Sequence, residues 1–395
     1  MFTGLIFFLL AAVQIIIGYH LIFPLLLYGF YLIKGKKKTL AGIAENEADY
    51  AVIITAYEQV HTIPAVVNSV LKSDYSNYLI YVVADKCDIS SLNFDDKRVI
   101  VLRPEKTLAN NIKSHFYAIN NFQRSHERLT IIDSDNLVHN RYFHELNHWF
   151  NAGYQAVQGV REAKNLNTTL SCLDAARDVY YHFYDGKILF SLGSSAALAG
   201  SGMAFTVDLY RSSLENRGIS GAGFDKVLQA EILNRNIRIA FAEKAIVYDE
   251  KTAKADQLVN QRSRWINTWF KYFKFGFGLT YQGIKNFSLN QLLFGLMLLR
   301  PPLFIFLILS FLCLAANVFI SPAIAIIWFA GFVCFAAGFA IAIIKPNTDR
   351  RIVRSLAGIP KFMFLQVISL VYARNANKRS VATKHSYITE GTENL

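Results

Sequence analysis

Two carboxylates separated by one residue, Asp133 and Asp135, are the side chains best placed by type and spacing to do chemistry. They follow the apolar run 129–132, whose β-branched residues predict a short buried strand. Side chains two apart on an extended backbone point the same way, so both carboxylates can share Mg²⁺ or Mn²⁺. Such a hard cation prefers oxygen ligands and keeps positions open for phosphate. The spacing alone also fits a solvated turn, so the rest of the chain must decide.

Other acidic side chains follow neighbouring strands. Apolar runs at 50–55, 79–84 and 98–102 alternate with helical patterns, which predicts a parallel, right-handed α/β sheet. Ligands bind beyond the carboxyl ends of strands in such sheets. Glu58 and Asp85 follow the first two runs, so we expect them at the same edge as the aspartate pair.

Several residues downstream could complete a site for a phosphate-bearing substrate. Basic side chains that could offset the acidic edge are Lys113, Arg161, Arg262 and Arg264. The small residues of the 200–203 segment would let backbone approach a ligand closely, although an ordinary loop explains them equally well. Asp225 begins a predicted helix, where an aspartate is either a functional carboxylate or a plain cap.

The 261–265 segment predicts a helix face that carries Gln261, Arg264 and Trp265 together, through three- and four-residue spacing. A guanidinium fork suits a diphosphate, and an indole offers a flat apolar surface to a sugar ring. The alternative is an amphipathic helix at a membrane surface, and the aromatic and lysine pattern of 269–275 favours that interpretation there.

Composition restricts the class of protein. Of 395 residues 53% are hydrophobic, and the apolar excess lies at the two ends. The net charge of +12 suits an anionic membrane surface or a phosphate-bearing substrate, and no motif predicts binding to nucleic acid. The four cysteines show no paired spacing, which argues against disulfides or a zinc site and fits a reducing cytosolic domain.

Apolar runs predict an integral membrane protein. Residues 5–33 are long enough to cross a bilayer, and the lysines of 34–38 place the following domain in the cytosol, with the amino terminus outside. A cleaved signal peptide is disfavoured by the length of the run. Two further spans are predicted at 302–320 and 323–344. We expect Arg300, just before them, to extend its charge to the interface, and residues 356–371 to form an interfacial or re-entrant helix.

These patterns divide the chain into five parts. Residues 1–38 form an amino-terminal membrane helix with its basic flank, and 39–267 form the cytosolic catalytic domain. Interfacial amphipathic helices follow at 268–299, and two membrane helices occupy 300–345. The last part, 346–395, holds the interfacial or re-entrant helix and a basic tail. We therefore expect the protein to be integral to an inner or plasma membrane and to contact membrane lipids.

Taken together, the chain resembles the membrane-integrated family 2 glycosyltransferases, which include hyaluronan synthase, cellulose synthase, poly-N-acetylglucosamine synthase and ceramide glucosyltransferase. The similarity runs from about residue 50 to residue 265 and into the flanking spans. The matching motifs are Val83-Ala84-Asp85, Asp133-Ser134-Asp135, Gln158-Gly159-Val160-Arg161, Gly200-Ser201-Gly202-Met203 and Gln261-Arg262-Ser263-Arg264-Trp265. The resemblance implies a GT-A fold, a Rossmann-like nucleotide-sugar-binding domain with a mostly parallel sheet.

The resemblance also implies roles. Asp225 falls where the family has its general base, and Asp133 and Asp135 would hold Mg²⁺ or Mn²⁺. Residues implied for binding the nucleotide sugar are Thr55, Tyr57, Glu58, Asp85, Lys113, Asp133, Ser134, Asp135 and Arg264. Residues implied for binding the acceptor are Gly200, Ser201, Gly202, Met203, Gln261 and Trp265.

The implied activity is an inverting transfer of a sugar from a nucleoside diphosphate sugar, expected to be a UDP-sugar, to a saccharide or lipid-linked acceptor at the cytosolic membrane face. Two departures leave alternatives open. Phe224 stands where the family usually has a glutamate, which keeps an inactive, nucleotide-sugar-binding regulatory partner as one alternative. The short membrane part keeps another, the addition of a single sugar to a polyprenyl phosphate or ceramide-like lipid instead of polysaccharide synthesis. An oligomer is compatible with either activity.

Overall fold

The computed structural model describes residues 2–34, 47–215, 217–219, 221–344, 348–374 and 376. Most of the predicted basic flank at 34–38 and of the predicted basic tail after residue 374 therefore lies outside the described residues.

In the part of the chain that the structure describes, eight strands form one mixed sheet. They are β1 (Tyr50–Tyr57), β2 (Tyr78–Asp85), β3 (Val99–Leu102), β4 (Arg128–Asp133), β5 (Leu137–Val138), β6 (Ala156–Ala163), β7 (Met203–Thr206) and β8 (Ile239–Asp249). Their order across the sheet is β3-β2-β1-β4-β7-β6-β8-β5. The pairs among β1 to β4 are parallel, as is the β6–β8 pair, whereas β7 runs antiparallel to both of its neighbours and β5 runs antiparallel to β8.

Helices surround the sheet and continue into an apolar bundle. Those of the first part are α1 (Phe2–Lys34), α2 (Ile63–Leu71), α3 (Asn111–Asn120), α4 (Tyr142–Asn151), α5 (Thr169–Tyr181), a π-helix (His182–Ile188), α6 (Leu189–Leu192), α7 (Val207–Leu214) and α8 (Phe224–Asn234). Those of the second part are α9 (Ala255–Tyr272), α10 (Phe275–Lys285), α11 (Leu289–Leu299), α12 (Leu303–Ile320), α13 (Pro322–Ile343), α14 (Arg350–Ser355), a 3₁₀ turn (Leu356–Gly358) and α15 (Ile359–Tyr372).

The central strand β1 shows why these segments form a covered sheet. Val52 and Ile54 point into a core shared with α2 and α4, and Ala51 and Ile53 point into a second core shared with α3 and α8. All four side chains are fully buried. A strand buried on both faces reads as a continuous apolar run, which is the pattern expected of a parallel sheet covered by helices.

The predicted α/β architecture is confirmed, and the early elements lie close to their predicted bounds. Pro64 occupies the first turn of α2, and the Asn110 side chain caps α3 by accepting from the Lys113 backbone N–H at 3.1 Å. The sequence did not indicate that β5 and β7 are antiparallel. These strands have two and four residues, too few to show a periodicity of their own.

Among the described residues, four helical segments are long and apolar enough to cross a membrane: Phe8–Lys34, Leu303–Ile320, Pro322–Ile343 and Arg350–Tyr372. The first three pack together, and the side chain of Gln14 accepts from Trp328 Nε1 at 2.9 Å and from Asn317 Nδ2 at 2.7 Å. The fourth combines α14, the 3₁₀ turn and α15. The interfacial placement of 356–371 stays a prediction, and the segment also has the length and composition of a membrane span.

Helices α10 and α11 form a tight hairpin in the predicted interfacial segment. A Cβ on Gly283 would lie 2.4 Å from the Leu292 backbone nitrogen, so the two helices can cross this closely only with glycine. The hairpin exposes Phe277, Tyr281 and Phe287. An exposed aromatic surface of this kind suits the membrane interface, and the interfacial location stays a prediction.

Candidate active site

One cavity of about 780 Å³ reaches from the carboxyl edge of the sheet to the apolar helices. Its polar end is lined by Thr55, Tyr57 and Asp133 together with Ser134 and Asp135. Its middle is lined by side chains of α5, α8 and α9, including Arg177, Asp225, Arg262, Arg264 and Trp265. Its apolar end is lined by residues of α12, α13 and α15, including Leu307, Phe335, Phe339, Phe362 and Met363. The cavity therefore joins the aspartate pair to the predicted membrane region.

The turn after β4 that carries the aspartate pair is fixed by a buried serine. Ser201 Oγ accepts from the Asp133 backbone N–H at 3.0 Å and from Asn136 Nδ2 at 2.9 Å. Lys164 Nζ donates to the Asp135 backbone carbonyl at 2.6 Å. Ser201 does not line the cavity, so the structure places this predicted acceptor residue beneath the aspartate turn.

Strand register confirms that the acidic positions share one edge. Tyr57 pairs with Asp85 across β1 and β2, and Thr55 pairs with Asp133 across β1 and β4. Asp85 nevertheless lies outside the cavity lining. Its two carboxylate oxygens accept from the backbone N–H groups of Leu108 at 2.9 Å and Ala109 at 2.7 Å. In this structure the carboxylate therefore holds the loop before α3.

Two more predicted donor-binding residues lie outside the cavity lining. Glu58 is exposed and forms an ion pair with Lys86 at 2.7 Å, and Lys113 is exposed on α3. Glu58 also has a left-handed backbone conformation, with φ of 62°. On α3 the cavity is lined by Asn111, a residue that no sequence motif indicated.

The turn before β7 is shaped by packing as well as by access to the cavity. Gly200 lines the cavity, but Gly202 and Met203 do not. Gly202 has φ of 64°, and a Cβ there would lie 2.8 Å from Val247 Cγ2. The side chain of Gln158 accepts from the Ala199 backbone N–H at 2.9 Å and donates to the Ser201 carbonyl at 3.1 Å. Gln158, the first residue of a predicted motif, therefore holds this turn against β6.

Asp225 lies at the second position of α8 and lines the cavity. The cap residue of α8 is Gly223, and no side chain caps the helix there, so Asp225 does not act as the cap residue. Lys226 Nζ lies 3.1 Å from Asp225 Oδ2 and donates to the Leu198 carbonyl at 2.8 Å. Asp225 therefore lines the cavity from the first turn of α8, and the ion pair with Lys226 fixes its carboxylate.

Phe224, the departure from the family pattern, has a packing role. Its ring is buried, and its centroid lies 5.1 Å from that of His115. His115 is bonded to the Tyr210 hydroxyl through Nδ1 at 2.7 Å, and burial lowers the pKa of this imidazole to about 3. A neutral imidazole and an apolar ring therefore support the turn that presents Asp225.

Helix α9 brings Gln261, Arg264 and Trp265 into the cavity, as the spacing predicted. The Trp265 ring is already engaged by two guanidinium groups, those of Arg262 at 4.0 Å and Arg177 at 4.4 Å from its centroid. A sugar ring stacking on this indole would have to share it with them.

A buried ion-pair network ties the loop after β8 to α5, and of its residues Arg161 alone belongs to a predicted motif. Asp178 pairs with Lys251 at 2.6 Å, with Arg177 at 2.8 Å and with Arg161 at 3.5 Å, and Lys251 also pairs with Asp249. Burial raises the pKa of Asp178, but the charges of Lys251 and Arg161 outweigh it and hold the pKa well below its usual value. The carboxylate is therefore ionised and anchors the wall of the cavity beside Asp135.

The prediction that Arg300 extends to the membrane interface is wrong. Its guanidinium is buried, lines the cavity and forms an ion pair with Asp185. A buried charge is tolerated when a partner is fixed nearby, and the π-helix supplies that partner. Gly186 lets the π-helix pack closely against β8, because a Cβ there would lie 2.5 Å from the Phe241 ring. Single π-helical turns occur frequently at functional sites.

The aspartate pair fits a hard divalent cation. Both carboxylates line the cavity at the end of β4, and oxygen ligands are those that Mg²⁺ and Mn²⁺ prefer. Within the described ranges no group of three or more His, Cys, Asp or Glu side chains is placed to hold a metal ion. Two carboxylates still suffice for a cation that completes its coordination with substrate phosphates and water.

The family model described as "Glycosyltransferase like family 2" matches residues 48–268, more than half of the chain. The chain belongs to this family. Among solved structures, a mannosyltransferase from Pyrobaculum calidifontis in complex with GDP-mannose and Mn²⁺ is 12% identical. It aligns over 93% of this chain and 97% of its own with a TM-score of 0.55. Residues 1–349 of TarS from S. aureus are 13% identical. That alignment covers 84% of this chain and 90% of the TarS chain, with a TM-score of 0.41. No curated protein matches the sequence.

The family match confirms the prediction of a family 2 glycosyltransferase, and the mannosyltransferase likeness supports its GT-A fold. The apolar helices are consistent with membrane association. Of the predicted site residues, those that the structure brings to the cavity are Thr55, Tyr57, Asp133, Ser134, Asp135, Gly200, Asp225, Gln261, Arg264 and Trp265.

Proposed function

We propose that the chain transfers a sugar, with inversion, from a nucleoside diphosphate sugar to an acceptor hydroxyl at the cytosolic face of a membrane. The observation that carries this proposal is one continuous cavity that is lined by Asp133, Asp135 and Asp225 and also by residues of the apolar helices. A donor held at the sheet edge and an acceptor entering from the membrane side would meet in that cavity.

The donor diphosphate belongs at the polar end. Asp133 and Asp135 would hold Mg²⁺ or Mn²⁺, and the cation supplies charge neutralisation of the departing diphosphate. Arg264 lines the middle of the same cavity and offers a planar donor group to phosphate oxygens. Thr55, Tyr57 and Ser134 line the space beside the pair, where the nucleoside would lie.

Asp225 is the proposed general base. It accepts the proton of the acceptor hydroxyl while the acceptor oxygen bonds to the anomeric carbon and the bond from that carbon to the diphosphate oxygen breaks. Attack from the side opposite the leaving group inverts the anomeric centre. Lys226 keeps the carboxylate oriented, since its Nζ is fixed by the Leu198 carbonyl.

A second candidate function, the addition of one sugar to a lipid, is favoured by the apolar end of the cavity. Leu307, Phe335 and Phe339 offer an alkyl or isoprenoid chain an apolar lining, whereas a polysaccharide needs polar partners for its hydroxyl groups. Determining the product mass separates the two, because a polymer gives a ladder and a lipid gives a single added sugar.

The test of the proposed activity is metal-dependent release of nucleoside diphosphate. The full chain in lipid nanodiscs is offered UDP- and GDP-sugars with Mg²⁺ or Mn²⁺, and we expect release with at least one donor that stops when EDTA removes the metal. Failure to release nucleotide from any donor, with membrane extract supplied as acceptor, would argue against the proposal.

Replacing Asp225→Asn removes the proton acceptor while keeping the side-chain shape. We expect kcat to fall about 10²- to 10⁴-fold, because that is the usual contribution of a positioned base, with donor affinity retained. Asp208→Asn, an exposed aspartate in the first turn of α7, is the matched control and should keep wild-type kcat. Wild-type turnover in Asp225→Asn would remove the base assignment.

A further inference from the structure

The middle of the cavity contains a buried arginine whose hydrogen-bonding capacity is only partly used. Arg262 on α9 is 2% exposed, and its Nη2 donates to Asp174 on α5. Its Nε and Nη1 have no hydrogen-bond partner among the described residues. Burial lowers the pKa of Arg262 to about 10 against the opposing effect of Asp174, so the group stays charged near neutral pH.

Leaving donors of a buried charged group unsatisfied is costly, so a ligand is expected to complete them. An arginine offers five N–H groups in a fixed fork, and oxygen atoms of phosphate match that fork. Arg177 adds a second guanidinium at the same place, because both groups lie within 4.4 Å of the Trp265 ring centroid.

The ion pairs of this wall compensate the negative charge of its carboxylates. The ion pairs that hold it contain five basic and four acidic side chains: Arg161, Arg177, Lys251, Arg262 and Arg300 with Asp174, Asp178, Asp185 and Asp249. One positive charge is therefore in excess within these pairs. Paired arginines are also rigid, which reduces the entropy lost when they bind a ligand.

The position of Arg262 identifies which substrate would use it. The donor diphosphate is assigned to Asp133, Asp135 and Arg264, whereas Arg262 lies on the face of α9 that packs against the apolar helices. Leu258 and Ile266, four residues before and after Arg262, cluster with Phe362 of α15 and with Phe304 of α12. A ligand spanning that wall would place a chain among the helices, an anionic group at the arginines and a hydroxyl at the base.

We propose that the acceptor is a lipid with a phosphate or diphosphate between its apolar chain and a hydroxyl-bearing head, and that Arg262 and Arg177 bind this phosphate. This inference rests on the proposed function and adds the chemical class of the acceptor. The phosphate takes no part in the bond changes: the head hydroxyl loses its proton to Asp225 and bonds to the anomeric carbon, and nucleoside diphosphate leaves.

The experiment compares acceptors of defined chemistry. The full chain in nanodiscs, with a donor that supports nucleotide release, is given phosphatidylglycerol, a polyprenyl diphosphate-linked saccharide, diacylglycerol or ceramide, and products are identified by mass. We expect glycosylated product from one of the two phosphate-bearing acceptors, at a kcat/KM at least tenfold above either neutral lipid. The arm that reacts distinguishes a phospholipid head from a lipid-linked saccharide.

Variants then test the arginines. Arg262→Gln should raise KM for the reactive acceptor about tenfold or more, since a hydrogen bond to a charged group is worth that factor, with a smaller change in kcat. Arg262→Lys should restore part of the affinity because it keeps the charge without the fork. Arg238→Gln is the matched control: Arg238 stacks on Phe190 and bonds backbone carbonyls outside the cavity, so KM should not change.

A competition measurement needs no variant. Phosphatidic acid, which carries the chain and phosphate without a further head, should inhibit transfer competitively with the acceptor, and diacylglycerol at the same mole fraction should inhibit at least tenfold more weakly. Equal inhibition by the two lipids, or transfer to ceramide as efficient as to a phosphate lipid, would overturn the inference while leaving the glycosyltransferase assignment intact. Loss of nucleotide release with every donor would instead overturn the proposed function itself.

Discussion

The two ends of the cavity are built in different ways. At the polar end, side chains project from turns that follow strands, and each turn is fixed by buried hydrogen bonds such as those of Ser201 to Asp133 and Asn136. At the apolar end, Leu307, Phe335 and Phe339 lie on the faces of long helices and are positioned by packing alone. The polar end therefore depends on precise geometry, whereas the apolar end depends on shape and apolar area.

This difference suggests how each end tolerates change. A hydrogen-bonded turn holds a carboxylate in one position, and a displacement of about 1 Å at a reacting group can cost about a hundredfold in rate. An apolar wall loses only the contact area that is removed, at about 25 cal/mol per Å². Substitutions of similar size should consequently have much larger effects at the polar end.

After the replacement of Asp225 itself, the largest effect is expected from Gly223→Ala, which acts on the turn that presents Asp225. Gly223 has φ of 95°, and a Cβ there would lie 2.5 Å from Thr268 Cγ2 and 2.7 Å from the Tyr272 ring. Helix α8 must shift away from α9, so we expect kcat to fall about a hundredfold. The measurement is nucleotide release with saturating donor and acceptor.

Gly218→Ala provides the matched control for that change. Gly218 has open space around its Cα and no left-handed backbone conformation. It should retain wild-type kcat. A Gly223→Ala enzyme with wild-type kcat would show that the turn before α8 tolerates displacement, and the contrast between the two ends would then lose its basis.

The same contrast explains how much the sequence could predict. The polar end was found from short motifs because each aspartate directly follows an apolar strand, and strand order then places Asp133 and Asp85 at one edge. What the motifs could not show is which residues line the cavity and which support it. Asp85 and Ser201 resemble the lining residues in the sequence, because they too are polar residues at strand ends. In the structure, however, both accept from backbone N–H groups and lie behind the lining.

The apolar end and the middle were not predictable in this way. Leu307 and Phe339 have the same residue types as the exposed positions of their helices, so periodicity cannot separate a cavity wall from the outer surface of the bundle. Arg300 precedes an apolar run and was expected at the interface, because its partner Asp185 lies more than a hundred residues earlier in the chain. Long-range ion pairs leave no local sequence pattern.

Acid should affect the polar end through His115, which packs beneath Phe224. Burial lowers the pKa of His115 to about 3, whereas a histidine in the unfolded chain has its ordinary pKa of 6.5. Between these values the unfolded chain binds a proton that the folded one does not, so stability falls as pH falls below 6.5. The expected loss approaches about 1.4 kcal/mol per pH unit.

Thermal unfolding in detergent from pH 7.5 to pH 5 measures this dependence. His115→Gln should flatten it, and Tyr210→Phe should preserve it, because burial and not the 2.7 Å hydrogen bond to Tyr210 lowers the pKa. An unchanged pH dependence in His115→Gln would mean that the imidazole does not remain neutral beneath the Asp225 turn.

The smallest effect is expected at the apolar end, from Leu307→Ala. The change removes part of one side chain from the wall, and losing about 1 kcal/mol of contact would raise KM roughly fivefold for a long-chain acceptor. A short-chain acceptor that does not reach α12 should lose less, so the preference for the long chain narrows. Leu312→Ala, on the same helix but exposed and outside the lining, should keep the wild-type preference. A hundredfold loss in Leu307→Ala, or an equal loss for short and long chains, would show that this wall positions the reacting groups as strictly as the strand-end turns do, and the two ends would then have to be described as one rigid site.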